Sequence, residues 1–388
     1  MVQRYKAWLV LARTEMTLMA NSDAERPDSR LSWASTWASI LGQVNRRMVT
    51  LLAALAPVVA LGVLGTTVRV PFVALGPGPT FNTLGAVDGE PVVQIEGTAV
   101  DQTSGNLNMT TVAVRDRLSL FDALALWASG RHGLVPREEV YPPQKSKAEV
   151  QEENSAQFAR SENSAELAAL RYLDMATALE LTSVAPDGPA APVLREGDLL
   201  LRVNDVPVGT LVELQDVVGA QAPGTTVQVT YLRDGVVATA PVVLGTRPAT
   251  DGEEDQGRGY LGITAKEAPN VPFTIDFNLA DIGGPSAGLM FSLAVVDKLS
   301  PGALNGGEFV AGTGSIDPNG DVGAIGGIPY KMSAARDAGA TIFLVPARNC
   351  DEAVANRPDG LELVRVETLA GAIDALAAID AGEPAPTC

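Results

Sequence analysis

Between Arg47 and Arg69 the chain runs for 21 residues, Met48 to Val68, without one charged side chain. As a helix, at ~1.5 Å per residue, such a run reaches about 30 Å, the thickness of one bilayer core. Pro57 inside it is tolerable in a membrane helix. Arg46-Arg47 stand before the run and a strongly acidic chain follows it. The positive-inside rule therefore places residues 1–47 in the cytoplasm, a transmembrane helix over 48–68, and everything after it on the far side. A cleaved signal peptide is the alternative, with Ala60-Leu61-Gly62 as a loose processing site. The run exceeds the ~7–15-residue apolar core of such peptides, which favours a retained anchor. Residues 1–47 are mixed in character, are broken by Pro27 and read as disordered. Val44-Asn45-Arg46-Arg47 resembles a translation start, which leaves open whether residues 1–43 are translated.

Charge excludes several function classes. Lys plus Arg is 28 against Asp plus Glu 46, a net charge of -18, and seven of the basic residues fall within the first 47. A chain so acidic repels phosphate backbones, so nucleic acid is not an expected partner. One histidine and two cysteines leave no material for a His-ligated zinc site, and His132, in Ser129-Gly130-Arg131-His132-Gly133, reads as an exposed turn rather than a triad base. No G-x-x-x-x-G-K-[ST] phosphate loop is present and no cofactor is expected. Outside a membrane, Cys350 and Cys388 suit one disulfide tethering the C-terminal tail, with two unpaired thiols as the alternative.

After the anchor, Gly76-Pro77-Gly78-Pro79 reads as a stiff connector. Strands are expected at Val92–Ile95 and Leu107–Val114. Ser119 should cap a helix from Leu120 to Ala128 that offers Phe121, Leu124, Ala125 and Trp127 to a core. Residues 137–166 are polar and charged and read as a solvated helix or flexible arm. Over 181–248 the pattern changes to short strands with turn signals. Pro189-Ala190-Ala191 followed by Leu194-x-x-Gly197-Asp198-x-Leu200 resembles a PDZ domain, and that resemblance implies capture of an extended peptide at a sheet edge. The carboxylate-gripping loop should precede Leu181, yet Met175–Glu180 holds no glycine-rich turn. The acidic stretch Asp251–Gly257 marks a boundary before residues 257–388.

Those last residues hold the chemistry. In Gly283-Gly284-Pro285-Ser286-Ala287-Gly288, Pro285 suits the first position of a helix running to Leu299, which puts Ser286 in its first turn beside free N–H groups. That geometry supplies an exposed hydroxyl and an oxyanion site. With histidine nearly absent, the base must be a desolvated lysine. Lys331, after Gly326-Gly327-Ile328-Pro329-Tyr330 and opening a helix from Pro329 to Ala338 capped by Gly339, is the best candidate; Lys298 and Lys266 are weaker.

Several ordered blocks resemble the proteolytic domain of Lon proteases: Gly284–Gly288, Ala311-Gly312-Thr313-Gly314, Gly320-x-Val322-x-x-Ile325-Gly326-Gly327-Ile328-x-x-Lys331, and the strand Ile342–Pro346. The membrane-anchored, PDZ-bearing bacterial branch resembles the whole chain most. The resemblance implies Ser286 as nucleophile, Lys331 as general base, and Thr313 as the residue positioning the lysine amine. It implies also that residues 69–180 are a connector and the N-terminal part of the protease region, the strand near 107–114 joining the same domain around an inserted PDZ. ATP-driven members carry an acid directly before Gly-Pro-Ser; here that place is Gly283, with Asp281 two residues further back. The expected fold is a mixed α/β (α+β) Lon-protease-type domain, an inserted β-rich PDZ domain and one N-terminal transmembrane helix. The expected function is ATP-independent serine endopeptidase activity on extracytoplasmic polypeptides at a bacterial cell membrane, with a homo-oligomer left open. A non-catalytic membrane-anchored adaptor that binds peptides through the PDZ domain is the alternative.

Overall fold

The computed structural model describes residues 46–247, 257–279 and 282–388. The expected disordered segment before Arg46, most of the acidic linker and Asp281 lie outside the described residues. Arg46–Thr67 (α1) is one helix, long and apolar enough to cross a membrane, in a compact unit separate from Val68–Cys388.

Within the second unit the chain runs through strand β1 (Phe72–Asn82), β2 (Val93–Glu96), β3 (Asn106–Arg115), helix α2 (Leu120–Ala128), β4 (Gly133–Pro136) and the long α3 (Lys147–Tyr172). Next come β5 (Thr177–Val184), β6 (Leu199–Val203), α4 (Leu211–Gly219), β7 (Thr226–Arg233), β8 (Val236–Val243), β9 (Ile263–Pro269) and β10 (Thr274–Phe277). The chain ends with α5 (Gly288–Leu299), β11 (Phe309–Gly312), α6 (Ile328–Ala338), β12 (Ile342–Pro346), α7 (Cys350–Ala355), β13 (Glu362–Val366) and α8 (Leu369–Asp380).

A mixed six-stranded sheet has the order β13-β12-β11-β3-β1-β4. Its first four strands are parallel, with Phe309 opposite Asn106, while β1 runs antiparallel to both β3 and β4. Strands from either side of the inserted region thus share one sheet. Alternation sorts their side chains onto two faces. Ile342, Leu344, Val364 and Val366 pack with α3, α5 and α8, whereas Phe343, Val345 and Leu363 pack with α6 and α7. The two catalytic candidates, Ser286 just ahead of α5 and Lys331 on α6, therefore come from opposite faces.

Gly76–Pro79 is not a free connector, because it lies inside β1. The prolines are tolerated there because β4 pairs only with Phe72–Leu75 and the register to β3 shifts between Pro77 and Thr80. Of the two expectations for residues 137–166, the helix is found and the flexible arm is not, and the helix is solvated only in its first half. Ser146 caps α3 through a capping box with Glu149, and Phe158, Ala165, Ala168 and Ala169 enter the core, where Phe158 meets Phe291 edge-on at 5.7 Å.

The inserted region forms an antiparallel sheet of order β8-β7-β6-β5-β9 around its own core, including Leu179, Leu200, Val229 and Leu244. Asp234 (φ 49°) and Gly235 (φ 78°) supply the positive-φ pair that a tight β7–β8 hairpin needs. Its outermost strand, β9, comes from beyond the acidic linker.

Candidate active site

Helix α5 begins at Gly288, not Pro285. Three contacts stop it from starting sooner. The Ser161 hydroxyl of α3 donates to the Pro285 carbonyl at 3.0 Å. The Ser286 carbonyl, which would accept from the next helical turn, instead accepts from the Gly314 N–H at 3.0 Å and from the Thr313 hydroxyl at 3.1 Å. The loop ahead is pinned as well: the Gly284 N–H donates to the Asn154 carbonyl at 3.0 Å, and Gly284 takes φ 87°, where a side chain would be strained. Ser286 thus sits just before the Ala287 N-cap, on a turn that presents its hydroxyl. The N–H groups of Ser286 and Ala287 have no acceptor among the described residues, and they lie at the N-terminal end of α5, the positive end of its dipole.

Helix α6 begins at Ile328, one residue earlier than expected, because Gly327 (φ 75°) turns the chain into it and Pro329 occupies its first turn. Lys331 points from α6 through the place where β11 ends. Beyond the pair Gly312–Met109, β3 has no parallel partner, and the Thr110 hydroxyl there donates to the Gly312 carbonyl at 3.1 Å. Into that gap comes Lys331 Nζ, 2.7 Å from Ser286 Oγ, 2.8 Å from Thr313 Oγ1 and 3.1 Å from the Thr110 carbonyl oxygen.

Those three neighbours suit either form of the amine: an ammonium would donate to all three oxygens, and a neutral amine would donate to two of them and accept from the Ser286 hydroxyl. The neutral form has two hydrogens and one lone pair. The Thr110 carbonyl can only accept, and the Thr313 hydroxyl, whose own hydrogen goes to the Ser286 carbonyl, also accepts. In the neutral amine both hydrogens are so engaged and the lone pair is left for the Ser286 hydroxyl. Burial favours that form: Lys331 is only 3% exposed, and desolvation lowers its pKa from 10.5 to about 7. No counter-charge contributes.

Beside the serine lies a cavity of about 510 Å³, walled on its apolar side by Met109, Val112, Phe158, Ile282 and Ile325. Ser286, Thr313 and Lys331 are thus brought together. Lys298 and Lys266 are not among them; Lys266 pairs at 3.0 Å with Glu180 on the inserted sheet. His132 lies 3.2 Å from the Ser129 hydroxyl in its own turn. Sequence reasoning missed the Thr110 carbonyl and the hold of Asn154 and Ser161 on the serine loop. No local pattern signals them, because they precede Ser286 by more than a hundred residues.

Comparison with known proteins accords with this geometry. Residues 281–377 match the Lon protease (S16) C-terminal proteolytic domain, and residues 156–244 match a PDZ domain. An archaeal Lon protease of Methanothermobacter thermautotrophicus is 30% identical over 164 residues, covering 37% of this chain and 25% of its own. Lon protease 2 of Bacillus subtilis is 33% identical over 93 residues, 24% of this chain and 16% of that protein. A probable periplasmic DegP-like serine endoprotease of Pseudomonas fulva is 33% identical over 97 residues, 22% of this chain and 20% of that one. The chain spans a quarter or less of the length of these relatives. It carries a Lon-type (S16) proteolytic domain together with a PDZ domain.

Proposed function

We propose that the chain is an ATP-independent serine endopeptidase with a Ser286–Lys331 dyad, acting on extended polypeptides on the extracytoplasmic side of a membrane. The observation that carries this reading is the buried Lys331 amine, 2.7 Å from Ser286 Oγ and within hydrogen-bond reach of the Thr110 carbonyl and the Thr313 hydroxyl. As Ser286 Oγ attacks a scissile carbonyl, Lys331 Nζ takes its proton. The Ser286 and Ala287 N–H groups then hold the developing oxyanion. Lys331 returns that proton to the leaving amine, giving an acyl-enzyme. A water molecule, giving its proton to Lys331, releases the acid and restores the hydroxyl. Thr313 positions the amine.

Need for ATP is not expected, since the 388 residues hold no phosphate loop. The extracytoplasmic placement is supported by the Arg46-Arg47 pair ahead of α1 and by the Cys350–Cys388 disulfide, which suits an oxidising compartment. Peptides would reach the inserted domain at β9 rather than β5. Strand β9 ends its sheet with one edge unpaired among the described strands, and it is entered through the glycine-rich turn Gly257–Gly262. The edge lies beside α4, where the Leu211 N–H donates to Glu267 at 3.2 Å.

The test is labelling by a serine-reactive fluorophosphonate, alongside cleavage of an unfolded fluorescent polypeptide with and without ATP. Wild type should label and cleave equally in both conditions, and Ser286→Ala and Lys331→Ala should do neither. No labelling of wild type, or undiminished labelling of Lys331→Ala, would leave only the adaptor reading.

A further inference from the structure

Helix α2 carries an apolar face that the rest of Val68–Cys388 leaves largely bare. It was expected to give Phe121, Leu124 and Trp127 to a core, yet only Ala123 and Leu126 turn inward, onto a small cluster with Ala74, Leu118, Val70 and Leu134. Leu120, Phe121 and Leu124 are 44–50% exposed and Trp127 is 65% exposed. At 100° per residue these four side chains fill an arc about 120° wide on the outer face. A nine-residue helix that is apolar on both faces, with one face bare, leaves that face available to another apolar phase.

Chain connectivity says which phase. Val70 N–H donates to the Leu118 carbonyl at 3.0 Å, Arg69 forms a bridge with Ser119, and the Arg69 guanidinium donates to the Arg117 carbonyl at 2.7 Å. Ser119 is the N-cap of α2, held by a capping box with Asp122. Arg69 stands two residues past Thr67, the last residue of α1, which is at most about 7 Å of extended backbone. The bare face is therefore tied to the exit of the apolar span. Its chemistry suits the boundary of a bilayer: leucine and phenylalanine to enter the acyl region, a tryptophan with a wet N–H edge, and two exposed arginines at headgroup height.

We propose that α2 lies in the plane of the membrane interface, its Leu120, Phe121, Leu124 and Trp127 face sunk into the headgroup and upper acyl region beside the anchor. It serves as a second foot that fixes how the catalytic unit stands on the bilayer. The proposal rests on the reading of α1 as a membrane span.

The full chain, with a single added cysteine carrying an environment-sensitive fluorophore, is reconstituted into phosphatidylcholine vesicles with a minor anionic fraction, brominated either near the ester end or near the end of the acyl chains. Leu55→Cys reports α1, Leu124→Cys reports α2, and Val236→Cys on the β7–β8 hairpin reports water. Emission from position 124 should fall roughly twofold with the shallow bromines and less with the deep ones, while position 55 shows the reverse preference and position 236 stays unchanged. Adding Phe121→Glu and Trp127→Glu should abolish quenching at 124 and leave it intact at 55. Quenching at 55 with none at 124 overturns the proposal and leaves the anchor standing. Bromine-insensitive emission at 124 that self-quenches as protein density rises overturns it in favour of a second copy covering the face. No quenching at either position overturns the span itself, and the proposal with it.

Discussion

A lysine buried without a counter-charge is costly, and in the proposed mechanism that cost is what makes the Lys331 amine a base. Desolvation brings its pKa to about 7, so kcat/KM should rise with pH through about 7 as the ammonium sheds its proton. A flat profile between pH 6 and 8.5 would contradict this. Lys331→Arg should lower kcat about a thousandfold or more at every pH, because a guanidinium keeps its proton. Between pH 7 and 10.5 the unfolded chain binds a proton at Lys331 that the folded chain has released, so stability gained on raising the pH should be smaller in Lys331→Met. Thr313→Val removes an acceptor for the amine and a donor to the Ser286 carbonyl. It should cost about 10–100-fold in kcat and move the pH midpoint down, because a lost acceptor disfavours the ammonium. An unchanged midpoint with unchanged kcat would remove Thr313 from the site.

Helix α3 works as a strut for the proposed nucleophile, since its Asn154 and Ser161 hold the loop that carries Ser286. The same helix carries Glu162 and Glu166, one turn apart and both half-buried. Burial raises each pKa to about 7, with Asp276 of β10 adding to the effect at Glu166. From pH 4.5 to 7 the folded chain keeps protons there that the unfolded chain has lost, so stability declines as pH rises through that window. Glu166→Gln should raise the melting temperature at pH 8 and leave it nearly unchanged at pH 5, as calorimetry can show. Equal shifts at both pH values would mean that the carboxylate ionises normally.

For the whole molecule, one covalent bond ties the tail to the catalytic unit. Cys350 on α7 and Cys388 are joined with Cα atoms 5.1 Å apart, across 38 residues, and the tail is further held by a bridge between Thr387 and Val364. A loop of that length confers up to about 4 kcal/mol by restricting the unfolded chain. Cys388→Ser, or a reductant on wild type, should lower the melting temperature by several degrees. Equal melting with and without reductant would show that the tail adds nothing. Cys350 also packs at the edge of the α6 core beside Met332, so loosening reaches the helix that bears Lys331.

Local chemistry made much of this legible beforehand. Ser119 as a cap and the apolar spacing after it marked α2 to the residue; Gly327, Pro329 and Gly339 marked α6 within one residue; scarcity of histidine directed attention to Ser286 and Lys331. Caps, turns and periodicity act over three or four residues, so one chain suffices to read them. Burial and partnership are properties of what arrives from elsewhere. Gly314 and Ser161 decide where α5 starts, Thr110 supplies an acceptor from another strand, and α5 converts a polar-looking α3 into core. Only the assembled sheet, with helices on both faces and a gap where β11 stops, could decide that a serine and a lysine 45 positions apart lie within 2.7 Å of each other, and that the apolar side of α2 faces outward.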